Sequence, residues 1–444
     1  MRSEIHHFTL ADSSHLNVQS VHLDRFSDLQ FLHPSFDSAG FHKLCDLYRD
    51  YIIPKYSFAF GTLVHFYLPE DMDLPFPDCD ECYGTILDKT VLCNILFHKH
   101  VHFRNNDPVF DDPQVKLIFQ ALQERNCLRI AKGIRSTLSF LPVSKTIGFL
   151  SQNNNNASLK VNASFFIMDL FDLGSIYDQI GTPFGLCVKD GTILQPPLFD
   201  REVLTVKENK VSVTDISLKQ LEIILDGFSY RDGRNASFLS RPQYRRSPSG
   251  GFDIVIVNEK IVAYKEGGNC EIPSSGFVLH LDRKIAIKET SVTYRGLEDL
   301  SFAIQVGNSV VRNGKMTQCF LSPFYKLLQF WKTSYPPSMY PHDYHTDRAP
   351  RIVLGADIDD KPMLLWLEGA AKFGHDPHTD SVGASLSETA EICKELGMFN
   401  GIHLDGGGSA QILINGQREL KISDRKKEDL EENERAIPLA LYVL

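Results

Sequence analysis

Three consecutive glycines after a short apolar run constrain the fold more than any other stretch of this 444-residue chain. Residues 401–404 lead into Asp405 and glycines 406–408, and a second apolar run follows soon after. Because glycine tolerates positive φ and carries no side chain, this pattern predicts two strands joined by a turn with an accessible main chain. Three glycines weaken a strand end, so a ligand close to the turn explains them better than stability does. The alternative is an ordinary glycine turn capped by Asp405.

The composition indicates a globular, soluble chain of two or three domains. Hydrophobic residues make up 43% of the sequence, which is enough for sizeable cores at this length. A formal net charge of −10 argues against binding to nucleic acid or to anionic membranes. No apolar signal core or membrane-spanning run is found, so we expect a cytoplasmic protein. The nine cysteines are odd in number and mostly isolated in apolar runs, which predicts reduced, buried thiols.

The residue pattern changes near residue 128, and this change divides the chain into two predicted domains. Residues 1–127 are interpreted as an accessory domain, either β-rich or α+β, with no recognised function. Residues 128–444 contain many short strand-like segments separated by Asn and Asp turns. The whole chain is therefore predicted to be α+β, with a mixed, strand-rich second domain and a few flanking helices.

Cysteines and histidines in the first part could bind zinc, because thiolates and imidazoles at short spacings can form a tetrahedral site. No second Cys-x-x-Cys pair occurs in the sequence, and histidines at every second residue merely share one face of a strand. We therefore favour a polar strand face beside buried thiols over a metal site. The candidate ligands are Cys79, Cys82, Cys93, His98, His100 and His102.

A capped helix is predicted just before the glycine turn. Ser385 and Glu388 have the spacing of a capping box, which predicts a helix over residues 386–396. The strand at residues 401–404 follows, so Asp405 would lie at the carboxyl end of a strand, where side chains commonly face a crevice. Glu388 has two interpretations, a structural capping residue or a functional carboxylate.

Several short motifs, in a fixed order over about residues 130–444, resemble the phosphodiester glycosidase family. Three positions depart from the family's usual pattern and bear on specificity: Ser164 replaces a glycine, Ile352 a threonine, and Asn308-Ser309 a more glycine-rich pair. The matching motifs are Val161-Asn162-Ala163-Ser164-Phe165-Phe166, Thr182-Pro183-x-Gly185, Arg348-Ala349-Pro350-Arg351, Gly383-Ala384-Ser385-Leu386-Ser387-Glu388, Leu404-Asp405-Gly406-Gly407-Gly408-Ser409 and Glu434-Arg435-Ala436-Ile437-Pro438.

The resemblance implies an enzyme that hydrolyses a sugar-1-phosphodiester, such as an N-acetylglucosamine-1-phosphodiester, to free sugar and a phosphomonoester. A carboxylate pair would act on the sugar, with Asp405 as nucleophile or electrostatic stabiliser and Glu388 as acid/base, or with these roles exchanged. Ser409 would orient Asp405, and Asn162 would bind the sugar or the phosphate.

The phosphate would be bound by Arg351, whose guanidinium can contact two oxygens at once, and by the main-chain amides of Gly406, Gly407 and Gly408. No cofactor is required by this scheme, although a divalent metal is not excluded. The expected partner is a small-molecule or glycan phosphodiester, and the oligomeric state is left open.

Two other classes of function remain open at this point. A metal-dependent phosphodiesterase is suggested by Asp343-x-His345-x-Asp347 and by the cluster His375-Asp376-x-His378-x-Asp380, since such residues can bind divalent ions. We favour solvated loops for both clusters, because the segments are polar and contain proline. The third class is a non-catalytic protein that binds glycan phosphates.

Overall fold

A computed structural model gives the fold. The zinc candidates, the aromatic segment 320–344 and the two metal-phosphodiesterase clusters, apart from Asp380, lie outside the residues whose side chains are described. The residues described are 1–32, 62–66, 101–104, 107–110, 112–124, 128–132, 149–151, 156–167, 175, 177, 181–198, 201–241, 243–244, 246–317, 348–369, 380–425 and 431–444.

The described part of the chain is rich in strands and contains two α-helices, α1 (Pro113–Glu124) and α2 (Leu386–Glu395). The strand-rich prediction is confirmed, but with so few helices these residues are mainly β, and the α+β class is not confirmed. The strands are β1 (Arg2–Thr9), β2 (His15–His22), β3 (Gln30–Leu32), β4 (Thr62–Phe66), β5 (Val101–Arg104), β6 (Asp107–Phe110), β7 (Leu128–Lys132), β8 (Leu159–Asn162), β9 (Cys187–Lys189), β10 (Thr192–Gln195), β11 (Arg201–Lys207), β12 (Lys210–Ile216), β13 (Glu222–Leu225), β14 (Phe228–Arg231), β15 (Ser237–Ser240), β16 (Ser249–Val257), β17 (Lys260–Gly268), β18 (Gly276–Leu281), β19 (Thr293–Arg295), β20 (Phe302–Ile304), β21 (Ser309–Arg312), β22 (Lys315–Met316), β23 (Arg351–Ala356), β24 (Pro362–Leu367), β25 (Asn400–His403), β26 (Ile412–Ile414) and β27 (Ala440–Val443).

The largest sheet has seven strands in the order β1-β2-β24-β23-β25-β21-β22, and its neighbours pair antiparallel. Its central strands β23 and β24 are buried along their whole length, as their continuous apolar sequences predict. Alternate side chains enter two different cores. Leu354 and Trp366 face the main core, whereas Val353 and Leu365 pack in a second core with α2.

Helix α2 begins at the predicted capping box. The Ser385 hydroxyl accepts a hydrogen bond from Glu388 N (3.2 Å), and the Glu388 carboxylate accepts one from Ser385 N (2.8 Å). These two bonds satisfy main-chain donors that a helix start otherwise leaves unpaired. Gly397 follows the helix with φ of +88°, which agrees with the predicted stop.

A four-stranded sheet in the order β26-β8-β27-β3 lies next to the candidate site. The remaining sheets have five strands (β10-β9-β20-β11-β12), four strands (β15-β18-β16-β17) and three strands (β14-β13-β19), with two isolated pairs, β4-β7 and β5-β6. Two of the Asn turns expected between short strands are hairpins: β11-β12 turns at Asn209 and β16-β17 at Asn258, and both asparagines have positive φ.

The first 32 residues are built into the same sheets as the end of the chain. Strand β2 pairs with β24 over five residues, and β3 pairs with β27. The boundary at residue 127 between an accessory and a catalytic domain stays a prediction. The pairings show, however, that residues 2–32 contribute strands to sheets formed with residues 351–443.

Three cysteines fall in the described residues, and Cys187, Cys270 and Cys393 are all buried free thiols, as predicted for that part of the chain. None of the helices in the described ranges is both long enough and apolar enough to cross a membrane.

The contribution of the N-terminal hairpin can be tested with Leu16→Ala. Leu16 is fully buried in the core that also contains α2, so truncation should lower the free energy of unfolding by about 2–5 kcal/mol. Ile5→Ala, on the exposed face of the same hairpin, is the control and should change it by less than about 0.5 kcal/mol. Urea titration measures both; an equally small loss in the two variants would show that the hairpin packs only loosely.

Candidate active site

Asp405 lies where the seven-stranded and four-stranded sheets meet. Strand β25 ends at His403, and Leu404 N then donates to Ile352 O of β23 (2.8 Å). The next amide, Asp405 N, donates instead to Ala163 O, just beyond β8 (2.9 Å). Asp405 is therefore fixed at a strand end between two sheets, as the sequence predicted.

The glycines that follow pack against the main chain before β23. Gly407 has φ of +59°, and its N–H donates to Pro350 O (2.9 Å). A β-carbon on Gly406 would lie 2.7 Å from the same oxygen, so a larger residue would push the two segments apart. In this state the Gly407 amide is already hydrogen-bonded within the protein. Its predicted contact with phosphate stays a prediction and would require that bond to break.

The carboxyl group of Asp405 has an unusual protonation equilibrium. Burial raises its pKa to about 7, against the lowering effects of a hydrogen bond from Ser409, the charge of Arg435 and the Gly406 N–H. The charge of Asp424 adds a further upward contribution. The residue as a whole remains partly exposed. A carboxyl group with this pKa can exchange a proton near neutral pH, which ordinary aspartates do not.

Two charged residues beside the loop, Arg435 and Asp424, were not assigned to the site from the sequence. Arg435 donates to the Asp424 carboxylate from Nε (3.0 Å) and Nη2 (2.8 Å), and its Nη1 lies 3.5 Å from Ser409 Oγ. Gly408 faces this ion pair, and a β-carbon there would displace it. Arg435 could have been found through the Glu434-Arg435 motif, whereas no motif pointed to Asp424.

Asn162 connects the two ends of the site loop. Its Nδ2 donates to Asp405 O (2.7 Å), and its Oδ1 accepts from Gln411 N (3.0 Å). The side chain is fully buried. Both polar atoms of the amide are thus used to hold the main chain from Asp405 to Gln411, and its predicted contact with substrate stays a prediction.

Arg351 is buried at the start of β23, and its Nε donates to Ala384 O (3.0 Å). Ala349 and Ala384 also pair through their main chains. The side chain of Arg351 therefore extends toward the segment that precedes α2. Its main chain lies near the site loop, since a β-carbon on Gly406 would be 3.8 Å from Arg351 Cα.

Glu388 belongs to a different charge cluster. Arg348 donates to its carboxylate from Nη2 (2.5 Å) and Nε (3.1 Å), and the same guanidinium binds Asp12 in the turn after β1 (2.7 Å). Burial opposes ionisation of Glu388, but the hydrogen bonds from Arg348 and Ser385 outweigh it and lower its pKa. Glu388 is consequently held as a carboxylate by two partners, Arg348 and Ser385.

Asp405, its three glycines and Ser409 thus form one loop, which Asn162 of β8 holds through hydrogen bonds, and Arg435 and Asp424 lie beside it. Within the described ranges no hydrogen bond links Glu388 to Asp405. These ranges also contain no group of three His, Cys, Asp or Glu side chains arranged to hold a metal ion. A surface cavity of about 420 Å³ is lined by none of the predicted site residues; it lies against residues 417–421 and Glu432.

Comparison with known proteins extends this description. Residues 234–444 match the profile of the phosphodiester glycosidase family. Over this C-terminal part, just under half of the chain, the sequence is similar to that family. The match includes Arg351, Glu388 and the loop around Asp405, and it confirms the resemblance drawn from the motifs over this part of the chain. Asn162 and Ser164 precede the matched residues. No curated protein matches the chain.

Three solved structures align with nearly the whole chain at low identity. A hypothetical protein from Synechocystis has 13% identity and a TM-score of 0.42; the alignment covers 99% of this chain, which spans only 61% of that protein. The zebrafish N-acetylglucosamine-1-phosphodiester alpha-N-acetylglucosaminidase catalytic domain, auto-inhibited by its pro-peptide, has 11% identity and a TM-score of 0.39, covering 100% of this chain and 82% of that one. A Burkholderia pseudomallei protein assigned as exported has 15% identity and a TM-score of 0.40, covering 100% and 96%. These TM-scores support no conclusion about function.

The role of Asn162 in the loop can be tested with Asn162→Ala. The substitution leaves Asp405 O and Gln411 N without their partner, and each buried unpaired group should cost about 1–3 kcal/mol of unfolding free energy. Asn162→Asp is the matched control, because its protonated carboxyl at low pH keeps an acceptor for Gln411 N and an O–H donor for Asp405 O. Denaturant titration at low pH, where the new carboxyl is protonated, should give the highest free energy of unfolding for the wild type. Asn162→Asp should have a lower value, and Asn162→Ala the lowest. A neutral effect of Asn162→Ala would contradict the assignment.

Proposed function

We propose that the chain is a glycosidase that hydrolyses a sugar-1-phosphodiester to free sugar and a phosphomonoester. The observation that carries the proposal is the position of Asp405, with its pKa near 7, inside the residues that match the phosphodiester glycosidase family. The name of the zebrafish enzyme specifies N-acetylglucosamine in α linkage, which is the first substrate to try.

Asp405 is proposed to act in its ionised form on the sugar side of the bond. The leaving phosphate is already a good leaving group, so the main requirement is to activate water or to stabilise positive charge at the anomeric carbon. A carboxylate whose conjugate acid has a pKa near 7 is a stronger base than an ordinary aspartate. We therefore assign Asp405 as the base that takes a proton from the attacking water.

Glu388 is less suited to proton transfer in this geometry. Its lowered pKa and its bonds to Arg348 and Ser385 keep it ionised and occupied at neutral pH. This supports the exchange of roles that the sequence left open, in which Asp405 rather than Glu388 handles the proton. Arg351 and Arg435, the arginines nearest the loop, would provide positive charge for the phosphate.

The bond that breaks can be identified by hydrolysis of a methyl diester of α-N-acetylglucosamine-1-phosphate in H₂¹⁸O. Cleavage at the anomeric carbon should place ¹⁸O in the sugar, and attack by water on the anomeric carbon should release the β anomer. Asp405→Asn should abolish turnover and keep the wild-type circular dichroism spectrum. Label in the phosphate instead would indicate a phosphodiesterase. Binding without turnover across glycosyl phosphodiesters would indicate a binding protein.

The protonation state of Asp405 predicts the pH profile. Because the base must be ionised, kcat/KM should fall roughly tenfold per pH unit below about pH 6 and level off above the pKa near 7. The Glu388→Gln variant serves as the comparison. Because the fall of kcat/KM at low pH is assigned to Asp405, the same fall should appear in this variant, even if its kcat/KM is lower at every pH. A rate that declines as pH rises through 7 would instead assign Asp405 as an acid.

A further inference from the structure

We propose that Gln411 and Ser164 form a sugar-binding subsite beside Asp405, in which the carboxamide and the hydroxyl bind one hydroxyl group of the glycosyl unit. The inference rests on the proposed function and adds to it the residues that recognise the sugar.

The subsite follows from the polar face of the four-stranded sheet. Strand β26 pairs with β8 in a register that places Ile412 opposite Val161, so Gln411 comes opposite Asn162. Residues directly opposite in an antiparallel pair share one face. Ser164 follows Asn162 by two residues, the spacing that returns an extended chain to the same face. The opposite face, with Val161 and Ile412, is part of the main apolar core.

Gln411 is buried, yet its side chain makes no hydrogen bond to the described part of the protein. It is 0% exposed, and among the residues that the structure describes neither its Oε1 nor its Nε2 has a hydrogen-bond partner. Leaving a carboxamide unpaired in the interior costs free energy, so such a group calls for a ligand. The neighbouring Asn162 shows the contrast, because both of its polar atoms are satisfied by the main chain.

Ser164, two residues after Asn162, is a second buried polar residue of this kind. Its hydroxyl is buried and likewise without a partner. Two unpaired polar groups therefore flank the residue that holds the main chain of Asp405. Neither group would have to give up an internal hydrogen bond in order to turn toward a ligand.

The chemistry of the two groups favours a sugar over a phosphate. A carboxamide offers both donors and an acceptor, and a serine hydroxyl does the same. A sugar hydroxyl can use both functions at once. A phosphate oxygen accepts only, and the carboxamide oxygen would repel it. The positive charge that a phosphate needs lies instead on Arg351 and Arg435, so the neutral and charged parts of one substrate would contact different residues.

The experiment compares variants on the methyl diester of α-N-acetylglucosamine-1-phosphate and on its 3-deoxy, 4-deoxy and 6-deoxy analogues. Gln411→Met and Ser164→Gly should each lower kcat/KM on the parent substrate by about tenfold, the value of one hydrogen bond. On the analogue that lacks the contacted hydroxyl the same variants should show no loss, since the interaction is already gone. Gln195→Met is the matched control: Gln195 is buried in β10 with an unpaired Nε2, and its effect should not depend on the analogue.

A stability measurement separates binding from folding. Gln411→Met removes an unpaired polar group, so its Tm should equal or exceed that of the wild type even though its activity falls. An equal loss on all four substrates, or no loss on any, would overturn the subsite.

If the wild type hydrolyses none of the diesters, the proposed function fails, and calorimetric titration with N-acetylglucosamine-1-phosphate then tests the subsite alone. A Kd about tenfold weaker for Gln411→Met would support it. Equal affinity of the two proteins, or no binding to the wild type, would overturn it.

Discussion

The candidate site depends on two successive main-chain hydrogen bonds that go to different sheets. Leu404 N binds β23, and Asp405 N binds the segment after β8. Since consecutive amides of an extended chain point in opposite directions, one residue can join two sheets only where a strand ends. The glycines after Asp405 allow the chain to turn there against Pro350. The Asp405 carboxyl group is therefore placed mainly by backbone geometry.

The charges around this junction fall into two sets with different properties. Arg348 joins Asp12 to Glu388 and stabilises both carboxylates in their ionised form. Arg435 is shared between Asp424 and Ser409, so it stabilises the Asp405 carboxylate only in part. Two arginines are thus distributed among four carboxylates, and Asp405, which is not directly paired with either arginine in the hydrogen bonds above, has the raised pKa. Burial raises the pKa of Asp405, and Arg435, which is paired with Asp424, offsets that effect only in part.

Sequence patterns predicted the local features well and the long-range ones poorly. The capping box at Ser385, the hairpin turns and the strand before Asp405 depend on neighbouring residues, so their signals are local. The pairing of β2 with β24 joins positions more than 300 residues apart, and no pattern within either strand specifies its partner. The same limit applied to the site. The Arg348–Glu388 pair and the use of both Asn162 amide atoms depend on tertiary contacts, which the spacing of residues does not encode.

The N-terminal hairpin pairs with the large sheet through β2 and β24, and this pairing limits where the chain can be cut into fragments. The family match begins at residue 234, yet β24, β26 and β27 inside it pair with β2 and β8 outside it. A fragment cut at the edge of the match would lose these partners and present bare strand edges, which readily associate with other chains. The shortest segment that keeps these strands paired therefore begins at residue 15, so the region that similarity recognises is smaller than the unit these sheets require.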